Sequence, residues 1–191
     1  MYQKIDLARW PRRELYQFFS GMSNPFYSVT FRQDVTALYE HTKREGISFY
    51  YALVYLCTQA VNEVEAFRCA VKGGEPVLLD ARHPSFTDLC PGAEAFHIVT
   101  MPCKGSLPEF CRAARAKSRA QTTLLEQSDT DDLIYFSCLP WVELTALTNE
   151  RDFDPDDSVP RISWGKYASE GSRRLLIGRF HQALSARIER L

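Results

Sequence analysis

The chain has 191 residues, 45% hydrophobic and 25% charged, a balance that fits one folded domain and argues against disorder. Lys and Arg number 23 against 24 Asp and Glu, a net charge of -1. That near-neutrality excludes a global basic field for nucleic acid or an anionic membrane, while a local basic patch can still meet a phosphorylated cofactor.

Residues 1–15 contain no apolar leader, and the longest apolar run, 49–57, is far too short to span a bilayer. The six cysteines (Cys57, Cys69, Cys90, Cys103, Cys111 and Cys138) are scattered without a C-x-x-C pair. Reduced, buried thiols in a cytoplasmic protein are expected, and no metal site, because no ligand spacing supports one.

No internal repeat or long linker divides the chain, so residues 1–191 are expected to form a single domain. Pro11 opens a helix whose apolar side is Leu15, Phe18 and Phe19. Residues 26–33 alternate and read as a strand. A helix then runs to about Arg44 and is stopped by Gly46. Residues 48–64 form an almost wholly apolar helix, expected to lie deep. Gly73-Gly74 marks a hairpin between two short strands.

Residues 85–87 and 95–101 read as strands, and 107–125 as an amphipathic helix with Arg112, Arg115, Lys117 and Arg119 on its solvated face. A strand over 133–136 ends at Ser137-Cys138-Leu139-Pro140-Trp141. The acidic stretch 150–160 reads as a surface loop. Residues 161–168 form a strand, 170–172 a turn, and 173 onward a short strand that gives way to a C-terminal helix. The expected class is α/β (α+β): a two-layer sandwich with a mixed, largely antiparallel sheet covered by helices.

Four collinear segments resemble the chloramphenicol acetyltransferase family. They are Trp10-Pro11-Arg12-Arg13-Glu14 with the aromatic residues that follow, and Phe49-Tyr50 through Gln59-Ala60-Val61-Asn62 to Phe67-Arg68. His83-Pro84-Ser85-Phe86-Thr87 comes next, then Ser137-Cys138-Leu139-Pro140-Trp141-Val142 with Ile162-Ser163-Trp164-Gly165-Lys166-Tyr167. The resemblance implies a CoA-dependent O-acetyltransferase fold, acetyl-CoA as co-substrate and a small hydroxylated acceptor. It also implies a homotrimer with each site at a subunit boundary. In such an enzyme a histidine takes the acceptor's proton, worth roughly 10²–10⁴ in rate, and a serine hydroxyl stabilises the oxyanion.

The family histidine, which precedes an Asp-Gly pair by three residues, has no counterpart here. The chain contains no Asp-Gly dipeptide, and none of His41, His83, His97 or His181 has an aspartate four residues on. Arg173-Arg174-Leu175-Leu176 matches the start of the family strand, and Ile177-Gly178-Arg179-Phe180 already matches its final helix. About fifteen family residues are missing between 175 and 177, enough extended chain to cross a sheet. The expectation is an acetyltransferase relative that is inactive or nearly so. His83 is expected to fix a turn, His97 to stand in a pocket wall, and His181 to face solvent on the last helix.

By the same resemblance, Ser137 is the oxyanion serine. Ser163 stands where the family has a threonine that holds a catalytic water, and Arg12 matches an arginine that pairs with the now absent aspartate. Phe18, Phe19, Tyr27, Phe96, Ile98 and Leu147 fall at acceptor-pocket positions, though aromatic residues at such places are also ordinary core. Tyr50, Trp141, Lys166 and Tyr167 match the CoA side, where Ser48 replaces a basic residue. Two other readings stay open: a non-catalytic homologue that binds CoA or a small molecule, and an unrelated enzyme using a cysteine nucleophile.

Overall fold

The computed structural model describes residues 1–89, 92–126, 130, 132–149 and 157–183. The elements in chain order begin with β1 (Tyr2–Lys4), α1 (Arg13–Ser20), β2 (Phe26–Asp34) and α2 (Thr36–Arg44). Next come α3 (Phe49–Glu63), α4 (Glu65–Arg68), β3 (Cys69–Lys72), β4 (Glu75–Leu79), β5 (His83–Asp88) and β6 (His97–Thr100). The chain continues through α5 (Leu107–Ala120), β7 (Leu133–Leu139), β8 (Arg161–Gly165), β9 (Ala168–Glu170) and β10 (Arg173–Ala183). The fold is mixed α/β, as expected.

The main sheet runs β2-β10-β8-β7-β5-β6, with β9 paired to β10. β5, β7 and β8 are parallel neighbours, and the other pairings are antiparallel. A small sheet, β1-β4-β3, stands apart. Its β3–β4 hairpin turns on Gly73 and Gly74, both at positive φ (58 and 75), where a side chain would be strained.

Strand alternation sorts the main sheet into two faces. Ile134, Phe136, Phe86, Val99, Ile162, Trp164 and Leu176 point to the side covered by α3 and α5, against Val54, Phe110 and Ala114. Residues between them in sequence, such as Tyr135, Ser137, Thr87 and Ile98, occupy the other face. The deep position of α3 follows from its composition: Tyr51, Ala52, Leu53, Val54, Thr58 and Val61 are all buried. Ser48 caps it by accepting from the Tyr51 amide at 3.4 Å, so this serine works as a helix cap. A capping box between Ser106 and Glu109 starts α5.

Three expectations are corrected. The α5 helix stops at Ala120 and does not reach 125. Gln121 turns extended and its amide donates to the carbonyls of Ile98, Thr123 and Leu124, drawing residues 122–125 alongside β6. His83 does not fix a turn; it opens β5, in register with Leu133.

The third correction concerns the C-terminal segment. Residues 178–183 are not helical: β10 runs without a break from Arg173 to Ala183, nine of its residues in register with β2. A long, β-branched and aromatic partner strand offers hydrogen bonds along its whole length, and this tertiary pairing overrides helical periodicity. His181 therefore lies in a strand, half-buried, stacked on Phe26 with ring centroids 5.2 Å apart. The expected loop at 150–160 lies mostly outside the described residues, of which 157–160 precede β8.

Candidate active-site cleft

A cleft of about 1300 Å³ opens where the C-terminal ends of β5 and β7 meet α3, α5 and the start of β6. Size and position suit a small organic ligand. Of the residues singled out from the sequence, Tyr50, Phe96, Ile98, Ser137 and Trp141 line it.

Ser137 is half-buried on β7, on the face away from α3 and α5. Its neighbour in register on β8 is Ser163, only 1% exposed, whose hydroxyl accepts from the Asn149 side-chain amide at 3.0 Å. Asn149 itself reaches the cleft. Nothing in the sequence singled it out, because its loop carries no pattern that would tie it to a serine fourteen residues on.

The rim beside Ser137 is built by close backbone approach. The Lys166 amide donates to the Val142 carbonyl at 2.7 Å. A Cβ on Gly165 would stand 2.4 Å from that same oxygen, so β8 must end in glycine for the Trp141 loop to dock. Trp141 projects outward, 67% exposed, and Phe96 is 52% exposed. Tyr50 spends its hydroxyl proton on the Thr87 carbonyl, and burial raises its phenol well above the ordinary value.

The other candidates sit elsewhere within a single copy of the chain. Phe18 and Phe19 pack edge to face on α1, Tyr27 lies on β2 and Leu147 in the loop after β7; none of them lines the cleft. Tyr167 joins Tyr39 and Phe49 in an aromatic group capped by the Arg174 guanidinium, 4.0 Å from the Tyr39 centroid. Lys166 is exposed beside it. Arg12 is half-buried at the start of α1, with its charge felt at Cys69.

All four histidines stand away from Ser137. His181 is two strands across and two residues along, roughly 12 Å by ideal sheet spacings. His83 lies at the opposite end of β5, roughly 13 Å along the strands. His41, on α2, is tied to Arg44 at 3.0 Å. His97 is not in the cleft wall as expected. It faces the helices, 8% exposed, with Nε2 3.0 Å from the Ser118 hydroxyl.

The described cysteines are poor nucleophiles, and Cys90 lies outside the described residues. Burial pushes Cys57 and Cys138 up to about 12, and Cys103 and Cys111 to about 11, so thiolate is scarce at neutral pH. Cys138, next to Ser137 in sequence, turns toward the core. Among the described residues no group of three or more His, Cys, Asp or Glu side chains could hold a metal ion.

Comparison with known proteins agrees with this architecture. The curated chloramphenicol acetyltransferase 3 of Escherichia coli is 30% identical over 180 residues, covering 92% of this chain and 84% of the relative. The Staphylococcus aureus chloramphenicol acetyltransferase is 26% identical over 176 residues, covering 90% and 81%. A solved chloramphenicol acetyltransferase superposes with a TM-score of 0.89 at 22% identity, over 99% of this chain and 93% of that one. A dihydrolipoamide acetyltransferase of Azotobacter vinelandii shares the fold at a TM-score of 0.63 and 16% identity, over 93% and 79%. The family model for chloramphenicol acetyltransferase matches residues 1–184, and the chain belongs to that family.

Proposed function

We propose that this chain is a CoA-binding relative of the CoA-dependent O-acetyltransferases that keeps the cleft and the oxyanion serine but supplies no general base. In the reaction, an acceptor hydroxyl attacks the acetyl carbonyl of the thioester, the proton leaves to a base, and CoA departs as the thiol. Ser137 can donate its hydroxyl proton to the tetrahedral oxyanion, with Ser163 and Asn149 fixing polar groups behind it. The carrying observation is that Ser137 opens on the cleft while none of the described residues lining that cleft is a histidine. An unassisted alcohol is a weak nucleophile, so turnover on this chain alone is expected to fall by roughly 10²–10⁴ relative to members with the histidine motif.

The continuous β10 supports the same reading. Unbroken from Arg173 to Ala183, it crosses the place between about 175 and 177 where we put the missing histidine segment, and the sequence holds no His-x-x-x-Asp-Gly run. We also read the chain as a homotrimer, in which Phe18, Phe19, Tyr27 and Leu147 would meet the cleft of a neighbouring copy. Tyr50, Trp141, Lys166 and Tyr167 would take CoA, with Lys166 as a point charge for phosphate. No helix among the described residues is long and apolar enough to cross a membrane, and a cytoplasmic location fits the sequence.

Thiol release from acetyl-CoA with chloramphenicol as acceptor, alongside calorimetry with CoA, tests this. Heat with CoA and background turnover are expected, with free imidazole raising the rate. Turnover at the level of motif-bearing relatives would overturn the inactive reading. Absence of heat with CoA would remove the cofactor reading.

A further inference from the structure

Beyond Ser137, the cleft has a second polar wall that the acetyl-transfer reading does not use. Tyr51 on α3, Asp88 at the end of β5 and Ser118 on α5 all line it, although they come from three separate elements. The Tyr51 hydroxyl donates to Asp88 Oδ2, Asp88 Oδ1 accepts from the Leu89 amide at 2.9 Å, and Ser118 stands 3.0 Å from His97 Nε2. Tyr51, Asp88 and Ser118 share one wall of the cleft, so the Tyr51–Asp88 pair and the Ser118–His97 pair stand side by side there.

The direction of these bonds decides what the wall can bind. Burial, chiefly, and the Asp88 carboxylate hold the Tyr51 phenol above its ordinary value, so its proton stays in place and stays aimed at Asp88. Tyr50 likewise gives its proton to a backbone carbonyl, and Thr100 donates to Ser85 at 2.9 Å. Three hydroxyl protons along this wall are thus committed to protein acceptors. At Asp88 acceptor capacity remains: a carboxylate takes roughly four hydrogen bonds, and the described residues bring two donors to it.

Charge does not make the choice. Arg115 and Arg119 stand at the same wall as Glu94 and Glu126, and Glu126 is held by Lys117 at 2.8 Å. Above the polar groups the lip is apolar, with Phe96, Leu125 and Leu89 about half exposed (52%, 52% and 49%).

We propose that Asp88, with Tyr51 and Ser118 beside it on the cleft wall, is a subsite for the hydrogen-bond-donating end of a small ligand whose apolar body rests on Phe96, Leu89 and Leu125. The donor is an alcohol or an ammonium group. This rests on the reading of the cleft as a small-molecule site, and it requires no acetyl transfer.

The test is calorimetry or ligand-detected NMR on the full chain with four probes of similar size: ethylbenzene, benzyl methyl ether, 2-phenylethanol and 2-phenylethylamine. At least one of the two donor probes is expected to bind about tenfold more tightly than the ether, which can only accept. Which of the two gains tells alcohol from ammonium recognition. Asp88→Asn is expected to collapse that preference, and Ser118→Ala to reduce it, in variants whose near-ultraviolet circular dichroism matches the parent. Four equal affinities, or a preference that survives both substitutions, would overturn the subsite. CoA titrations of the same samples separate the two ideas: heat with CoA but no donor preference removes only the subsite, while the reverse removes only the CoA reading.

Discussion

The two ends of β5 handle buried polarity in opposite ways. Just before the strand, Arg82 is 0% exposed, and its guanidinium donates to the carbonyls of Phe67, Leu133, Cys69 and Ser158 at 2.6–3.3 Å. Asn62 clamps its backbone on both sides. At the strand's last residue, Asp88 gathers donors from two directions but faces a cleft. Six residues apart, one charge staples α3, α4, β3 and β7 together, while the other is held ready for something outside the protein. A buried ion enclosed by protein dipoles belongs to the architecture; one that lines a cavity is available to a ligand.

Breaking the closed end has the largest expected effect. Arg82→Met leaves several carbonyls without their donor in a dry setting, and a loss of at least about 3 kcal/mol in urea-induced unfolding is expected. Asp88→Asn keeps the shape and is expected to cost no more than about 1 kcal/mol in the same measurement. If the two substitutions cost the same, the contrast between staple and binding group fails.

Gly165→Ala sharpens the comparison at the cleft rim. Its Cβ would meet the Val142 oxygen at 2.4 Å and the Leu144 side chain at 2.6 Å, so the Trp141 loop must shift. The expected cost is about 1–3 kcal/mol, with weaker CoA binding by calorimetry.

Ser106→Ala removes the capping box of α5, whose far end carries Ser118 beside His97. About 1 kcal/mol of thermal stability is expected to go, with donor-probe affinities nearly unchanged, since the fraying is confined to the other end of the helix.

The smallest effect belongs to Asp34, on the edge of the sheet. Hydrogen bonds from the Thr36 side chain and amide, then Arg173, bring its carboxyl down to about 2. A lowered folded-state pKa stabilises above the unfolded value of 3.8, and that contribution fades as pH falls toward 2. Parent and Asp34→Asn should therefore differ in melting temperature at pH 6 and converge near pH 2. A constant difference across that range would break the assignment.

The apolar run at 49–63, the glycine pair at 73–74 and the alternation in β2 were legible in the sequence, because each is a local pattern of side-chain period or backbone freedom. So were Ser137 and Trp141, carried by a contiguous signature. The fate of residues 178–183 was not: their spacing suits a helix, and only the presence of β2 alongside, in register over nine residues, makes them strand.

His97 shows the same limit at the level of one side chain. Sequence fixes its chemistry and strand, but its facing follows from the register Asp88↔His97, which turns both toward Ser118 and Tyr51 and away from Ser137. The chain's own order determined the family, the core helix and the lack of a His-x-x-x-Asp-Gly run. Three-dimensional packing alone decided which polar groups share a cleft, because hydrogen bonds from α3 to β5 and between α5 and β6 join residues that no local pattern connects.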